Sequence, residues 1–358
     1  MAAGVFTTTA IKSAPVILSK AHLKDGKAQA VVANSGCANA CTGDSGMADA
    51  VEMASLVAEK LGLSTDDVLV ASTGVTGQLL PMNLIKDGIS RIILSSDGGN
   101  ELARAILTTD TVTKETAISV KVNGSEFTIG GIAKGSGMIH PNMATMFGFL
   151  TTDAAVELDF LKSALKKAVD VSFNMITVDG DTSPSDTVLI MANGVAGNEP
   201  ISHNSQLAGI FQQALDKVCL HLAKSLVRDG EGATRLIEVT VDGALTSADA
   251  RLAARTIAGS TLVKAAMHGA DPNWGRIMMA LGQSGIEVVE SKTDIYIGDI
   301  CVAREGKPMS FSIQSAVQIL KQNEVSLTVH LNLGTVSATA WGCDLSHEYV
   351  TINSAYMT

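Results

Sequence analysis

The sequence is poor in aromatic side chains, in basic residues and in long apolar runs. Its 358 residues include only 8 Phe, 3 Tyr and 2 Trp, so small aliphatic side chains must fill most of the core. The 26 Lys and Arg are scattered among 36 Asp and Glu, which excludes a nucleic-acid partner. No run approaches 18 apolar residues, and the N-terminus lacks the pattern of a secretion signal. We therefore expect no membrane association.

The cysteine count and the hydropathy indicate a globular intracellular protein. Five cysteines are an odd number in a long chain, which favours reduced thiols in the cytoplasm over a disulfide framework. Hydrophobic residues make up 46% and charged residues 17%, and the mean hydropathy is +0.27, which excludes disorder. The length predicts two domains or one large domain.

Apolar spacing predicts alternating strands and helices. The predicted strands are 27–32, 67–71, 117–122, 126–129, 146–151, 186–192, 236–241, 286–289, 294–297 and 326–331. The predicted helices are 47–61, 82–94, 100–107, 159–171, 204–227, 247–268 and 309–321. Asn123-Gly124 predicts a tight hairpin turn. The sequence thus predicts an α/β protein with a larger lobe over 1–247 and a smaller α/β lobe over 248–358.

Polar, glycine-rich loops are predicted at 34–46, 72–77 and 134–144, where an α/β protein commonly places its ligands. None carries a phosphate-loop, dinucleotide-binding or Gly-x-Ser-x-Gly motif. Cys37 and Cys41 lack a second pair at zinc spacing, and His268 fits a helix end, so no metal site is expected. By itself Thr145, between a loop and a strand, is an ordinary residue entering a sheet.

Nine segments in one order resemble the ornithine acetyltransferase (glutamate N-acetyltransferase, ArgJ) family over nearly the whole chain. They are AAGVFTT (2–8), NSGCANA (34–40), STGV (72–75), TTDT (108–111), GGIAKGSGM (130–138), PNMATM (141–146), DGEGAT (229–234), DPNWGR (271–276) and NSAY (353–356). The resemblance implies an αββα-type sandwich with a smaller C-terminal α/β lobe, whose C-terminal tail returns to the active site.

The resemblance also implies a chain that cuts itself between Ala144 and Thr145. The new N-terminal Thr145 would then serve as nucleophile, with its own α-amino group as base. In the family this threonine takes acetyl from N2-acetylornithine and passes it to glutamate, in a ping-pong reaction of arginine biosynthesis. The positions that match the stabilising pair for the oxyanion are Thr73 and Gly74.

Further site residues follow from the same resemblance. The substrate-binding positions match Thr109, Lys134, Thr145, Glu231, Asn353 and Thr358. Lys134 is the natural partner of a substrate carboxylate, and Glu231 that of the ornithine ammonium. No cofactor is implied, although acetyl-CoA stays open as an alternative donor. The two self-cleaved chains are expected to stay together, as a dimer of such pairs.

Two other interpretations remain open at this point. One is an N-terminal-nucleophile amidohydrolase or aminopeptidase on a related fold, in which water replaces glutamate as acceptor. The other is a catalytically silent binding or structural protein that keeps the fold and is never cut.

Overall fold

The computed structural model describes residues 1–122, 124–140 and 146–355. The strands are β1 (Ala2–Phe6), β2 (Ala30–Cys37), β3 (Val68–Val75), β4 (Lys114–Val122), β5 (Ser125–Lys134), β6 (Phe147–Thr152), β7 (Ile176–Thr177), β8 (Thr187–Ala192), β9 (Leu236–Ala244), β10 (Asp294–Ile297), β11 (Ile300–Arg304), β12 (Lys307–Pro308), β13 (Glu324–His330) and β14 (Val336–Cys343). The α-helices are α1 (Ala14–His22), α2 (Gly43–Leu61), α3 (Met82–Arg91), α4 (Gly99–Ala105), α5 (Leu158–Val171), α6 (Ala208–Arg228), α7 (Ser247–Gly259), α8 (Thr261–His268), α9 (Trp274–Gln283), α10 (Ile313–Leu320) and α11 (His347–Ala355).

Two sheets pack face to face between two helical layers. β2 and β3 form a parallel pair, and the larger sheet has the order β1-β8-β6-β5-β4. Along β3, Val68 and Val70 pack against α1 and α2, whereas Leu69 packs against Leu189 of β8. This alternation follows from the two-residue period of a strand. Because α5 and α6 cover the other face of the larger sheet, the layers form the predicted αββα sandwich.

A seven-stranded sheet, β12-β11-β10-β13-β9-β14-β7, lies on the far side of α6. Helix α7 packs on β9 and β14, and α8 and α9 pack beside it. The core between the seven-stranded sheet and these helices is continuous with the core around α5 and α6. The boundary expected after residue 247 stays a prediction; β9, which precedes it, pairs with β13 and β14, which follow it.

Several predicted elements are confirmed. Strands β4 and β5 pair antiparallel as the hairpin signal predicts, although Asn123 of its turn lies outside the described residues. The helices predicted at 47–61 and 159–171 match α2 and α5 within a turn. Among the described helices, none is long and apolar enough to cross a membrane.

Three expectations are wrong. Ser72, Thr73 and Gly74 were expected in a loop, but they lie within β3, because each pairs with a residue of β2. The single helix expected at 247–268 is two helices, and the side chain of Ser260 caps the second by accepting the Val263 N–H. Residues 286–289 are not a strand; their apolar side chains pack against the core without a strand partner.

Candidate active site

Segments far apart in the chain meet around one cavity of ≈ 100 Å³ at the end of β3. Of the residues predicted for the site, the structure brings together Thr73, Gly74, Thr109, Lys134, Glu231 and Asn353. Ala144, Thr145 and Thr358 lie outside the described residues. The predicted roles of these nine residues stay predictions, but six of them share one cavity.

Gly74 occupies a position that no other residue fits. Its φ is +124°, and a Cβ atom there would lie 2.3 Å from the backbone carbon of Gly36 in the paired strand β2. Only glycine combines this conformation with such a close backbone approach. The end of β3 is thereby held tightly against β2, with Thr73 almost fully buried beside the cavity.

Lys134, the last residue of β5, is the buried cation of the site, with 2% of its surface exposed. Its Nζ donates to the hydroxyl oxygens of Thr108 at 2.8 Å and Thr73 at 3.3 Å, and lies 3.8 Å from Asp110 Oδ2. Burial lowers the pKa of Lys134, although the negative charge of Asp110 opposes the shift. Burial is the largest cause of this shift, and the charges of Asp110, Asp186 and Glu231 offset it only in part.

Asp110 connects Lys134 to the rest of the fold. Burial alone would raise the pKa of Asp110, but the charges of Lys134 and Lys114 outweigh it and lower that pKa. The carboxylate also accepts the Gly135 N–H at 2.6 Å. Asp110 thus stays ionised beneath the cavity. Sequence reasoning missed its role, although it lies inside the TTDT segment.

Glu231 follows α6 and also lines the cavity. It is 6% exposed, and its Oε2 accepts the side-chain N–H of Asn353 at 2.7 Å. A Cβ on Gly137 would lie 2.5 Å from the Glu231 carboxyl, so a glycine is needed opposite it. The backbone N–H of Glu231 donates to the Ser136 carbonyl at 2.8 Å. Helix α11 therefore closes one wall of the cavity through Asn353.

A second network joins the Glu231 segment to the C-terminal segment. Asp344, after β14, accepts the Thr234 and Arg235 N–H groups at 2.7 and 2.8 Å and faces His268 Nδ1 at 2.8 Å. Burial raises the pKa of Asp344, but these hydrogen bonds outweigh it and lower the pKa. The ionised carboxylate fixes Glu231 and α11 relative to each other.

Acidic residues between β7 and β8 complete the cavity wall. Asp179 accepts the N–H groups of Met138 and Ile139 at 2.6 and 3.0 Å. Burial raises the pKa of Asp179 despite these bonds. Burial, and after it the negative charge of Asp179, raise the pKa of the Tyr349 hydroxyl. Asp179 and Tyr349 were missed in the sequence, where only the polar, aspartate-rich run before β8 marks the segment.

A family model described as the ArgJ family matches residues 1–358. The chain belongs to the ArgJ family. The arginine biosynthesis bifunctional protein ArgJ of Symbiobacterium thermophilum is 54% identical over 359 residues, covering 100% of this chain and 89% of that protein. The protein of the same name from Dehalococcoides mccartyi is 53% identical over 358 residues, covering 100% of this chain and 88% of that protein.

A solved structure supports the fold of this ArgJ-family chain. The crystal structure of the arginine biosynthesis bifunctional protein ArgJ from Bacillus halodurans is 44% identical in sequence, with a TM-score of 0.57. The match covers 59% of this chain and 98% of that one. Membership and fold thus confirm the resemblance that the nine segments indicated.

Proposed function

We propose that the chain is a self-processing acetyltransferase of arginine biosynthesis, which moves acetyl from N2-acetylornithine to glutamate through an acetyl-threonine. The observation that carries this proposal is the meeting of Thr73, Gly74, Lys134 and Glu231 around one cavity. This set offers hydrogen-bond donors for an oxyanion, a cation for a carboxylate and an anion for an ammonium. Both amino-acid substrates need such a combination.

The nucleophile of the proposed reaction is Thr145, freed by cleavage after Ala144. The new α-amino group has a reference pKa of about 7.7–8.0, so a useful fraction is unprotonated near neutral pH. It can take the proton of the Thr145 hydroxyl while the oxygen attacks the acetyl carbonyl. The same proton passes to the ornithine nitrogen as its bond to the acetyl carbon breaks, and ornithine leaves. The amino group of glutamate then attacks the acetyl ester, and its proton returns to the Thr145 oxygen as acetylglutamate is released.

Thr73 and Gly74 are proposed to stabilise the tetrahedral oxyanion of each half-reaction. Because Lys134 donates to Thr73 Oγ1, the hydroxyl hydrogen of Thr73 is left to point at an oxyanion. The charge of Lys134 also makes that hydrogen a stronger donor. Removing one such donor from an oxyanion hole costs about 2.7–4 kcal/mol of barrier in a well-studied protease.

Lys134 and Glu231 are proposed to bind the two ends of the substrates. Lys134 offers its incompletely neutralised ammonium to a carboxylate, and Glu231, oriented by Asn353, offers a carboxylate to the ornithine ammonium. Thr109, whose hydroxyl lies 2.7 Å from that of Ser136, and the C-terminal Thr358 add hydroxyls in this proposal.

The cellular setting follows from the same proposal. All five cysteines are free, which fits an enzyme of the cytoplasm. The reaction needs no cofactor, and acetyl-CoA stays open as a second acetyl donor. Chains 1–144 and 145–358 would remain together after cleavage, because β5 and β6 come from different chains yet pair along their length. A dimer of such pairs is the proposed assembly.

Intact mass spectrometry of the purified, denatured protein tests the processing step. We expect two fragments, the second beginning Thr145-Met146-Phe147. Thr145→Ala should abolish both cleavage and transfer, whereas Thr151→Ala, at an exposed position of β6, should abolish neither. A single uncut wild-type chain would instead support the catalytically silent interpretation.

Acetylornithine assays with and without glutamate test the acceptor. The transferase should form acetylglutamate in step with ornithine. Ornithine release at a rate that glutamate does not change would identify an amidohydrolase instead.

A further inference from the structure

Asp186, immediately before β8, is completely buried. Only one of its two carboxyl oxygens accepts a hydrogen bond from the residues that the structure describes. Its Oδ1 accepts the Met146 N–H at 2.9 Å. Its Oδ2 is buried and has no hydrogen-bond partner among the residues that the structure describes. Because an unpaired buried carboxyl oxygen is costly, its retention at this place calls for a role.

The carboxyl group of Asp186 contacts Met146, the residue that follows the predicted nucleophile in the chain. Met146 is joined by one peptide bond to Thr145, and it is held from both sides: Asp186 accepts its N–H, and its carbonyl accepts the Thr187 N–H at 3.1 Å. Met146 itself is only 2% exposed. The backbone that follows the nucleophile is therefore fixed against the start of β8, with the Asp186 carboxyl adjoining it.

The surroundings of Asp186 make it a stronger base than an ordinary aspartate. Burial raises the pKa of Asp186 well above its usual range, although the Met146 hydrogen bond and the charge of Lys134 oppose the shift. Within the described ranges, Lys134 is the charged group that acts on Asp186, and Lys134 is in turn 3.8 Å from Asp110. A carboxylate with a raised pKa accepts a proton more readily at neutral pH.

Self-cleavage needs a base that the mature enzyme's mechanism does not supply. In the uncut chain the nitrogen of Thr145 is an amide, which has no basicity in water. The free α-amino group exists only after the bond to Ala144 is broken. Another group must therefore accept the hydroxyl proton during the first step.

We propose, on the basis of the proposed function, that Asp186 is the acid and base of self-cleavage. Its carboxylate takes the Thr145 hydroxyl proton as the oxygen bonds to the Ala144 carbonyl carbon. The same proton returns to the Thr145 nitrogen as the carbon–nitrogen bond breaks, which leaves an ester and a free amine. Water then hydrolyses the ester, releasing the Ala144 carboxyl group and restoring the Thr145 hydroxyl.

The test follows the uncut fraction of the full-length chain after cell-free synthesis, by intact mass spectrometry over a range of pH. Asp186→Asn keeps a carbonyl oxygen for the Met146 N–H but removes the basicity. We expect it to slow cleavage by roughly 100-fold or more. In the wild type the rate should fall as acid protonates Asp186, and Asp186→Asn should lack this acid limb.

The matched control is Asp153→Asn. Asp153 Oδ1 likewise accepts a backbone N–H of the same sheet, that of Thr128 at 2.6 Å, but Asp153 follows the opposite end of β6. We expect this variant to cleave at the wild-type rate. Asp186→Glu retains a carboxyl group in a changed position, so it should keep the acid limb with a shifted midpoint.

Three results would overturn the proposal: cleavage of Asp186→Asn at the wild-type rate, an acid limb that persists in Asp186→Asn, or an unshifted midpoint in Asp186→Glu. The last result decides the matter if Asp186→Asn does not fold. A wild type that cleaves with the Asp186-dependent limb but transfers no acetyl would overturn the proposed function and leave this inference standing. Normal acetyl transfer by the wild type, together with cleavage of Asp186→Asn at the wild-type rate, would overturn this inference and leave the proposed function standing.

Discussion

Two lysines at the β4–β5 hairpin are equally buried, but the groups that surround their ammonium ions differ. Lys114 begins β4 and Lys134 ends β5, and each is 2% exposed. Lys114 Nζ lies 2.7 Å from Asp110 Oδ1 and 2.5 Å from Asp229 Oδ2, and it donates to the Val112 carbonyl at 3.2 Å. Two carboxylates thus lie within direct ion-pair distance of its ammonium.

The charge of Lys134 is less well neutralised, although this side chain is as deeply buried as that of Lys114. Its closest partners are the hydroxyls of Thr108 and Thr73, and the carboxylate of Asp110 is 3.8 Å away. Burial therefore lowers the pKa of Lys134. A fully paired buried charge stabilises its surroundings, whereas an underpaired one at a cavity is prepared for a ligand of opposite charge.

Replacing Lys114 should have the largest effect of the substitutions that test this comparison. Lys114→Met leaves Asp110 and Asp229 buried without their shared cation, and we expect a loss of about 3–5 kcal/mol in the free energy of unfolding. Urea denaturation followed by circular dichroism measures it. Lys121→Met on the same strand removes only an exposed pair with Glu126, so its cost should stay below about 1 kcal/mol. Equal losses in the two variants would contradict the structural role of Lys114.

Lys134→Met should affect binding more than folding. Asp110 keeps Lys114, so the loss of stability should be smaller than in Lys114→Met. Loss of a charge-assisted hydrogen bond, worth about 1.5–3 kcal/mol, should raise the KM for both acetylornithine and glutamate by roughly 10- to 100-fold. Steady-state kinetics measure both constants, with Lys121→Met as the control. An unchanged KM for glutamate would remove Lys134 from the site.

Alkaline pH should sharpen the difference between the two lysines. Between the lowered pKa of Lys134 and the ordinary lysine value of 10.5, the unfolded chain binds more protons than the native protein. Stability therefore rises with pH in that window, by at most about 1.4 kcal/mol per pH unit from this group. Urea midpoints of the wild type and Lys134→Met, measured over the window, give the difference. Identical pH slopes would show that Lys134 has no lowered pKa.

The smallest expected effect is at the hydroxyls around Lys134. Thr109→Val keeps the side-chain shape but loses the bond to Ser136. We expect a cost of about 0.5–1.5 kcal/mol, seen as a roughly 2- to 10-fold increase in KM without a change in self-cleavage. Thr151→Val, at an exposed position, should leave KM unchanged. A larger increase in KM in Thr109→Val than in Lys134→Met would mean that the Thr109 hydroxyl contributes more to substrate binding than the Lys134 ammonium.

The sequence predicted the layers of the fold better than the ends of its strands. Helix α5 and strand β8 follow from apolar spacing, because one face or both faces of each are buried. Strand β3 continues through Ser72, Thr73 and Gly74, whose polar and small side chains resemble a loop. Their strand conformation depends on pairing with β2, a partner more than thirty residues away, which local spacing does not reveal.

Some residues of the site could likewise be identified from the sequence, whereas the roles of others became visible only in the structure. Lys134 and Glu231 could be named from the motifs that surround them, since each lies in a segment resembling the family. Asp110 and Asp186 could not be assigned their roles, because a carboxylate acts according to its depth and its neighbours. Asp110 is ionised between two lysines, whereas Asp186 is buried beside one backbone N–H and a more distant cation.

By itself the sequence determined the family, the order of the segments that carry chemistry, and the apolar patterns of the strands and helices of an α/β protein. The αββα arrangement was implied by the family resemblance. Those properties are local, since they depend on residue type and spacing along the chain. The tertiary structure alone decided which of two equally buried lysines has two close carboxylates. It also decided which aspartate has a buried oxygen without a hydrogen-bond partner among the residues that the structure describes. Charge and burial act through space, so groups distant in the chain set the chemistry of each.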